Sequence, residues 1–95
     1  MNNIVFKYPL KPVRSGSQTV RMPMGAEILD CQIQDGLFVI WALASKEYYE
    51  KDLMENRTLV ILHTDEHTPH CLTNHVSTIQ SHGIVYHIFE VGSCH

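Results

Sequence analysis

With 95 residues, 44% of them hydrophobic and only 18% charged, the chain is too short for two cores and too apolar for intrinsic disorder. A formal net charge of -3 and a pI near 6.1 exclude a general attraction to phosphate backbones or anionic lipid, although the 7 histidines would turn the chain positive toward pH 6. No apolar run approaches the roughly 18–20 residues of a membrane span, and residues 1–9 lack the basic start and apolar core of a signal peptide. The expectation is one domain over residues 1–95, with its core between 4 and 91 and no membrane contact.

Residues 4–10 alternate, with Phe6, Tyr8 and Leu10 on one face and Lys7 and Pro9 on the other, which predicts an edge strand. Residues 14–17, Arg-Ser-Gly-Ser, have loop composition. Residues 18–24 alternate again, Val20, Met22 and Met24 sharing a face, until Pro23-Met24-Gly25 breaks the pattern.

Around Asp35-Gly36 the signal is strongest. Leu29, Cys31 and Ile33 alternate with Asp30, Gln32 and Gln34 before it, as in a half-buried strand. After it, residues 37–43 (Leu-Phe-Val-Ile-Trp-Ala-Leu) are apolar on both faces. Asp-Gly supplies the positive φ angles of a two-residue hairpin turn, so these strands should pair antiparallel. The second should lie centrally between two layers of side chains, with Trp41 as a core anchor whose indole N–H needs a partner.

Residues 45–56 are polar, with Tyr48, Tyr49, Leu53 and Met54 spaced like one helical turn; they predict a loop with a short helix. Residues 59–62 read as a buried strand, and residues 64–74 as a polar, histidine-rich loop. Residues 76–80 and 84–91 form a closing hairpin around Ser81-His82-Gly83. The sum is an all-β fold: a small antiparallel β-sandwich or barrel of about seven strands with at most one short helix.

Met22-Pro23-Met24-Gly25-Ala26-Glu27-Ile28-Leu29, Gln32-Ile33-Gln34-Asp35-Gly36, Trp41-Ala42-Leu43 and Gly83-Ile84-Val85-Tyr86-His87-Ile88-Phe89-Glu90 follow one another in a specific order and spacing. In these blocks the chain resembles a family of small proteins of bacteriophages and prophages, over most of its length. The resemblance implies phage association and a small β fold. It transfers no biochemistry, and it says nothing of the histidines in residues 66–74.

His63, His67, His70, Cys71 and His75 fall within thirteen residues and are the candidate zinc ligands, since imidazole and thiolate are the usual donors and a closed site needs four. Solvated loop histidines are the plainer reading, because zinc motifs pair ligands at tight spacings on two elements. Cys94-His95 would add further ligands. Cys31, Cys71 and Cys94 are an odd, sparse set with no CxxC pair, as in a reducing cytoplasm rather than a disulfide framework.

No catalytic residue is assigned. Cys31 falls on an inward strand face and is expected to be inert, no nucleophile elbow or phosphate loop occurs, and the carboxylates of residues 47–55 read as a solvated face. His87 shares a face with Val85 and Phe89, as a satisfied core histidine or, second, a ligand contact; His82 lies at a turn. Lys7, Lys11, Arg14 and Arg21, beside Tyr8, form a candidate patch for a small anionic ligand, too few in number to favour nucleic acid. The binding candidates are therefore Trp41, His82, His87, Arg14 and Arg21.

The functional expectation is a non-catalytic phage accessory protein of the host cytoplasm, without a cofactor unless zinc binds. It would bind a host protein or a small nucleotide signal, as a homo-oligomer. The alternatives are a minor virion structural or assembly component and a small metal-dependent enzyme built on residues 63–75.

Overall fold

A computed structural model describes residues 2–11 and 17–92. In chain order the elements are β1 (Asn3–Pro9), β2 (Ser17–Pro23), β3 (Glu27–Gln34), β4 (Leu37–Ser45), α1 (Lys46–Glu50), β5 (Met54–His63), β6 (Cys71–Ser81) and β7 (Ile84–Gly92). They build two antiparallel sheets, a three-stranded one ordered β1-β4-β3 and a four-stranded one ordered β2-β5-β7-β6. The all-β expectation holds, as does the single short helix.

Two tight hairpins set the registers. Asp35 and Gly36 have φ of 51° and 80°, and His82 and Gly83 have 51° and 78°, the pair of left-handed residues that a type I′ turn needs. The first turn joins β3 to β4 and the second joins β6 to β7. β1 is an edge strand carrying Pro9, as predicted, and β4 is the centre of its sheet.

The core lies between the sheets. Leu10, Cys31 and Ile40 meet Leu59, Ile61, Ile79 and Ile88 in the main cluster, and Met22, Ala26, Ala42 and Ala44 form a second. Ala42 and Ala44 are small enough for Met22 to be wholly buried against them. Along one margin β3 approaches β6, where Asp30 hydrogen-bonds Ser77.

The strands β5 and β6 are longer than predicted, starting at Met54 and Cys71 rather than near 59 and 76. Apart from half-buried Met54 and Cys71, their extra residues are polar or exposed because one face of the four-stranded sheet meets water, which the hydrophobic pattern does not register. Ser45 caps α1, its hydroxyl accepting the Tyr48 N–H at 3.2 Å. The pairs Lys46–Glu50 and Lys51–Glu47 run along the exposed helix surface.

Candidate interaction surface

Alternation along β4 sends Phe38, Ile40, Ala42 and Ala44 inward, each belonging to or packed against a core cluster. Leu37, Val39, Trp41 and Leu43 therefore face the other way. Trp41 is not the core anchor predicted above: it is half-buried on the outward face of the three-stranded sheet, and among the described residues no second layer covers it. The strand is central within its sheet but packed on one side only.

Registers across this sheet place the outward residues in rows. Lys7, Trp41 and Asp30 share one row, and Val5, Leu43 and Glu27 share the next. A bulge between Ile28 and Asp30 turns Leu29 outward as an extra residue. Val5 is 52% exposed, Leu29 46% and Leu37 39%, so the apolar face is open to solvent. Among the described residues of this face Val39 is buried, and the Lys7 ammonium donates to Gln34 Oε1 at 3.2 Å across β4.

Charge is divided between the margins of this face. Lys7 stands on the β1 side, and Glu27 and Asp30 stand on the β3 side. Asp30 accepts the Cys31 N–H at 2.8 Å and the Gln32 side-chain amide at 3.0 Å. The Gln32 hydrogen bond, with those from Cys31 and Ser77, holds the Asp30 carboxyl below its ordinary range despite partial burial.

The histidines divide between elements. His63 ends β5, exposed, with its ring 5.2 Å from Tyr86. His67 and His70 lie between β5 and β6. His75 sits on β6, its ring 5.2 Å from Phe89 and its Nε2 2.8 Å from Thr78 Oγ1. Cys71 is disulfide-bonded, so its sulfur is not a free thiolate ligand, contrary to the expectation of unpaired cysteines. Among the described residues no three His, Cys, Asp or Glu side chains converge to hold a metal, so the candidate zinc ligands His63, His67, His70, Cys71 and His75 do not assemble a site there.

His87 shares a face with Val85 and Phe89 as predicted, but that face is the outward one of the four-stranded sheet. It is half-buried, its Nε2 2.9 Å from Thr64 Oγ1 and its Nδ1 3.3 Å from Thr78 Oγ1. Threonine hydroxyls thus partner both ring nitrogens. His82 is exposed at its turn, 3.0 Å from Ser81 Oγ.

The basic patch does not form among the described residues. Arg21 lies on the outward face of the four-stranded sheet, paired with Asp52 at 3.2 Å, while Lys7 lies on the opposite side of the sandwich. The Lys11 backbone exchanges hydrogen bonds with the Gln18 side chain, and Tyr8 packs against both core clusters, its phenol pKa raised by burial. Arg14, Cys94 and His95 lie outside the described residues. Cys31 is wholly buried, and desolvation pushes its thiol up to about 12, as expected of an inert core cysteine.

One cluster had no counterpart in the sequence reading. Arg57 donates from Nε and Nη2 to both oxygens of Glu90 and from Nη1 to the Ala26 carbonyl at 2.7 Å. Glu55 accepts the Gly25 N–H at 2.6 Å beside it. The Arg57 and Glu90 side chains are only 17% and 12% exposed, and the Arg57 hydrogen bond holds the Glu90 carboxyl below its ordinary range. This fork joins β5 and β7 to the turn between β2 and β3. All three guanidinium nitrogens are engaged within the chain, so the fork fastens one end of the sandwich.

Fold and surface together define a two-sheet β-sandwich with an open apolar face. The chain belongs to the family described as a domain of unknown function, DUF7352, whose model matches residues 1–94. Searches of curated proteins and of solved structures return no match.

Proposed function

We propose that this protein is a phage accessory protein that works by binding a host protein rather than by catalysis, and that the Trp41 face is its contact surface. Exposed Val5, Leu29 and Leu37, on the same face as half-buried Trp41 and Leu43, carry this reading. Contiguous apolar surface rimmed by polar residues is characteristic of protein contacts, and tryptophan is enriched at their centres. A host protein is favoured over a small nucleotide signal because Lys7 and Arg21 occupy opposite sides of the sandwich and cannot converge on one phosphate. The phage association comes from the sequence blocks that end at Glu90.

Affinity capture from infected host cells, with bound proteins and metabolites analysed in parallel, tests this. A host protein retained by the wild type and lost with Trp41→Ser is the expected result. Retention that ignores Trp41→Ser, capture of a nucleotide in place of a protein, or abundance of the chain in purified particles would overturn it.

A further inference from the structure

The outward face of the three-stranded sheet is self-complementary. Lys7 and Asp30 are both register partners of Trp41, one from each side, so a single row across the sheet reads cation, indole, carboxylate. We propose that a second copy of the chain packs on this face, about a two-fold axis that lies between the two sheets and runs parallel to β4. The proposal rests on the reading of this face as a contact surface and names its resident occupant.

Such an axis carries one protomer's β1 over its partner's β3. Trp41 then meets its symmetry mate at the axis, and each Lys7 stands opposite the partner's acidic margin of Asp30 and Glu27. The other two-fold, perpendicular to the strands, sets Lys7 against Lys7 and the acidic margin against itself, and like charges facing each other disfavour it. Face-to-face sheets lie about 10 Å apart and cross at about 30°, a gap that a lysine and a carboxylate span together. In the isolated chain Lys7 donates an exposed hydrogen bond to the neutral Gln34 amide, which a carboxylate on a partner can replace. Asp30 keeps its bonds from Cys31, Gln32 and Ser77, and a carboxylate with about four acceptor sites has one left for another donor.

Size sets the strength. Strands of 7, 9 and 8 residues present a face of about 400 Å² per partner, half of the roughly 800 Å² that a standard stable interface buries. The dimer should therefore be weak and concentration-dependent, leaving the face available to a competing host protein.

The chain has a single tryptophan, so native fluorescence reads this face without mutation. Across a dilution series of the full chain, sedimentation should show the mass doubling at high concentration while Trp41 emission shifts to the blue in step. Lys7→Asp alone and Asp30→Lys alone should each weaken dimerisation about tenfold or more, since each homodimer would hold two like-charge pairs. An equimolar mixture of the two variants should recover it, because the heterodimer restores opposite charges at both positions. A monomer at every concentration, a dimer whose Trp41 emission stays unshifted, or a mixture no better than its components would overturn the proposal. The dilution arm decides the matter even if Asp30→Lys fails to fold. Loss of the target with Trp41→Ser in a strictly monomeric protein would sink the dimer and leave the proposed function standing; an intact dimer with capture indifferent to Trp41 would do the reverse.

Discussion

Replacing Glu90 by alanine strips both carboxylate oxygens from a guanidinium that is only 17% exposed, leaving it the Ala26 carbonyl and the Glu55 carboxylate at 3.9 Å. The expected loss is about 2 kcal/mol, read from urea denaturation, because a largely buried cation without its partner keeps most of its desolvation cost. The same fork shapes the acid response. Glu90 and Asp30 have pKa values lowered from 4.5 and 3.8, so they bind protons less readily in the folded chain than in the unfolded one. Their contribution is complete above about pH 5 and is lost as the pH falls through the lowered values. Glu90→Gln should therefore narrow the stability difference between neutral and acid pH, and an unchanged acid limb would show that the fork does not govern it. At Cys31 the buried thiol, pushed up to about 12, should resist alkylation at neutral pH until denaturant is added, as peptide mapping by mass spectrometry can follow.

Each tight hairpin depends on two consecutive left-handed residues. At Gly36 and Gly83, with φ of 80° and 78°, an added Cβ would meet nothing within 4 Å, so the cost of Gly→Ala there is purely conformational. Each change should cost about 1 kcal/mol in denaturation midpoints, without altering strand pairing by NMR. These hairpins also show what the chain discloses before folding. Asp35-Gly36 is legible because turn chemistry is local, and so is the strand after it. The direction in which Trp41 points is not: a strand apolar on both sides has no alternation to say which side is core. The bulge at Leu29 is invisible for a related reason, since one extra residue changes the face without changing composition. Arg57 and Glu90 lie 33 positions apart and are brought together only by the β5–β7 register. Histidines clustered in sequence separate because His63 and His75 belong to different strands, with only His67 and His70 between those elements.

At the scale of the whole sandwich, Ile40 and Trp41 make a direct comparison. They are neighbours on β4, one fully buried between the sheets and one half-buried outside. Ile40→Ala should cost about 3 kcal/mol, whereas Trp41→Ala should cost about 1 kcal/mol in dilute protein, measured by the same denaturation experiment. Equal losses would mean that the outer face is packed in the monomer after all. The order of strands has a consequence for how the chain comes to be folded. The two sheets are interleaved along the sequence: β1 finds its partner only in β4, and β2 only in β5. As a ribosome delivers the chain, the β3–β4 hairpin can close early, but β2 must wait, ladder edges bare, from Pro23 until Met54 and beyond have emerged. Pairings of that range are slow, on the order of milliseconds to seconds, so the interval of greatest exposure to aggregation falls during synthesis, before the four-stranded sheet has its first complete ladder.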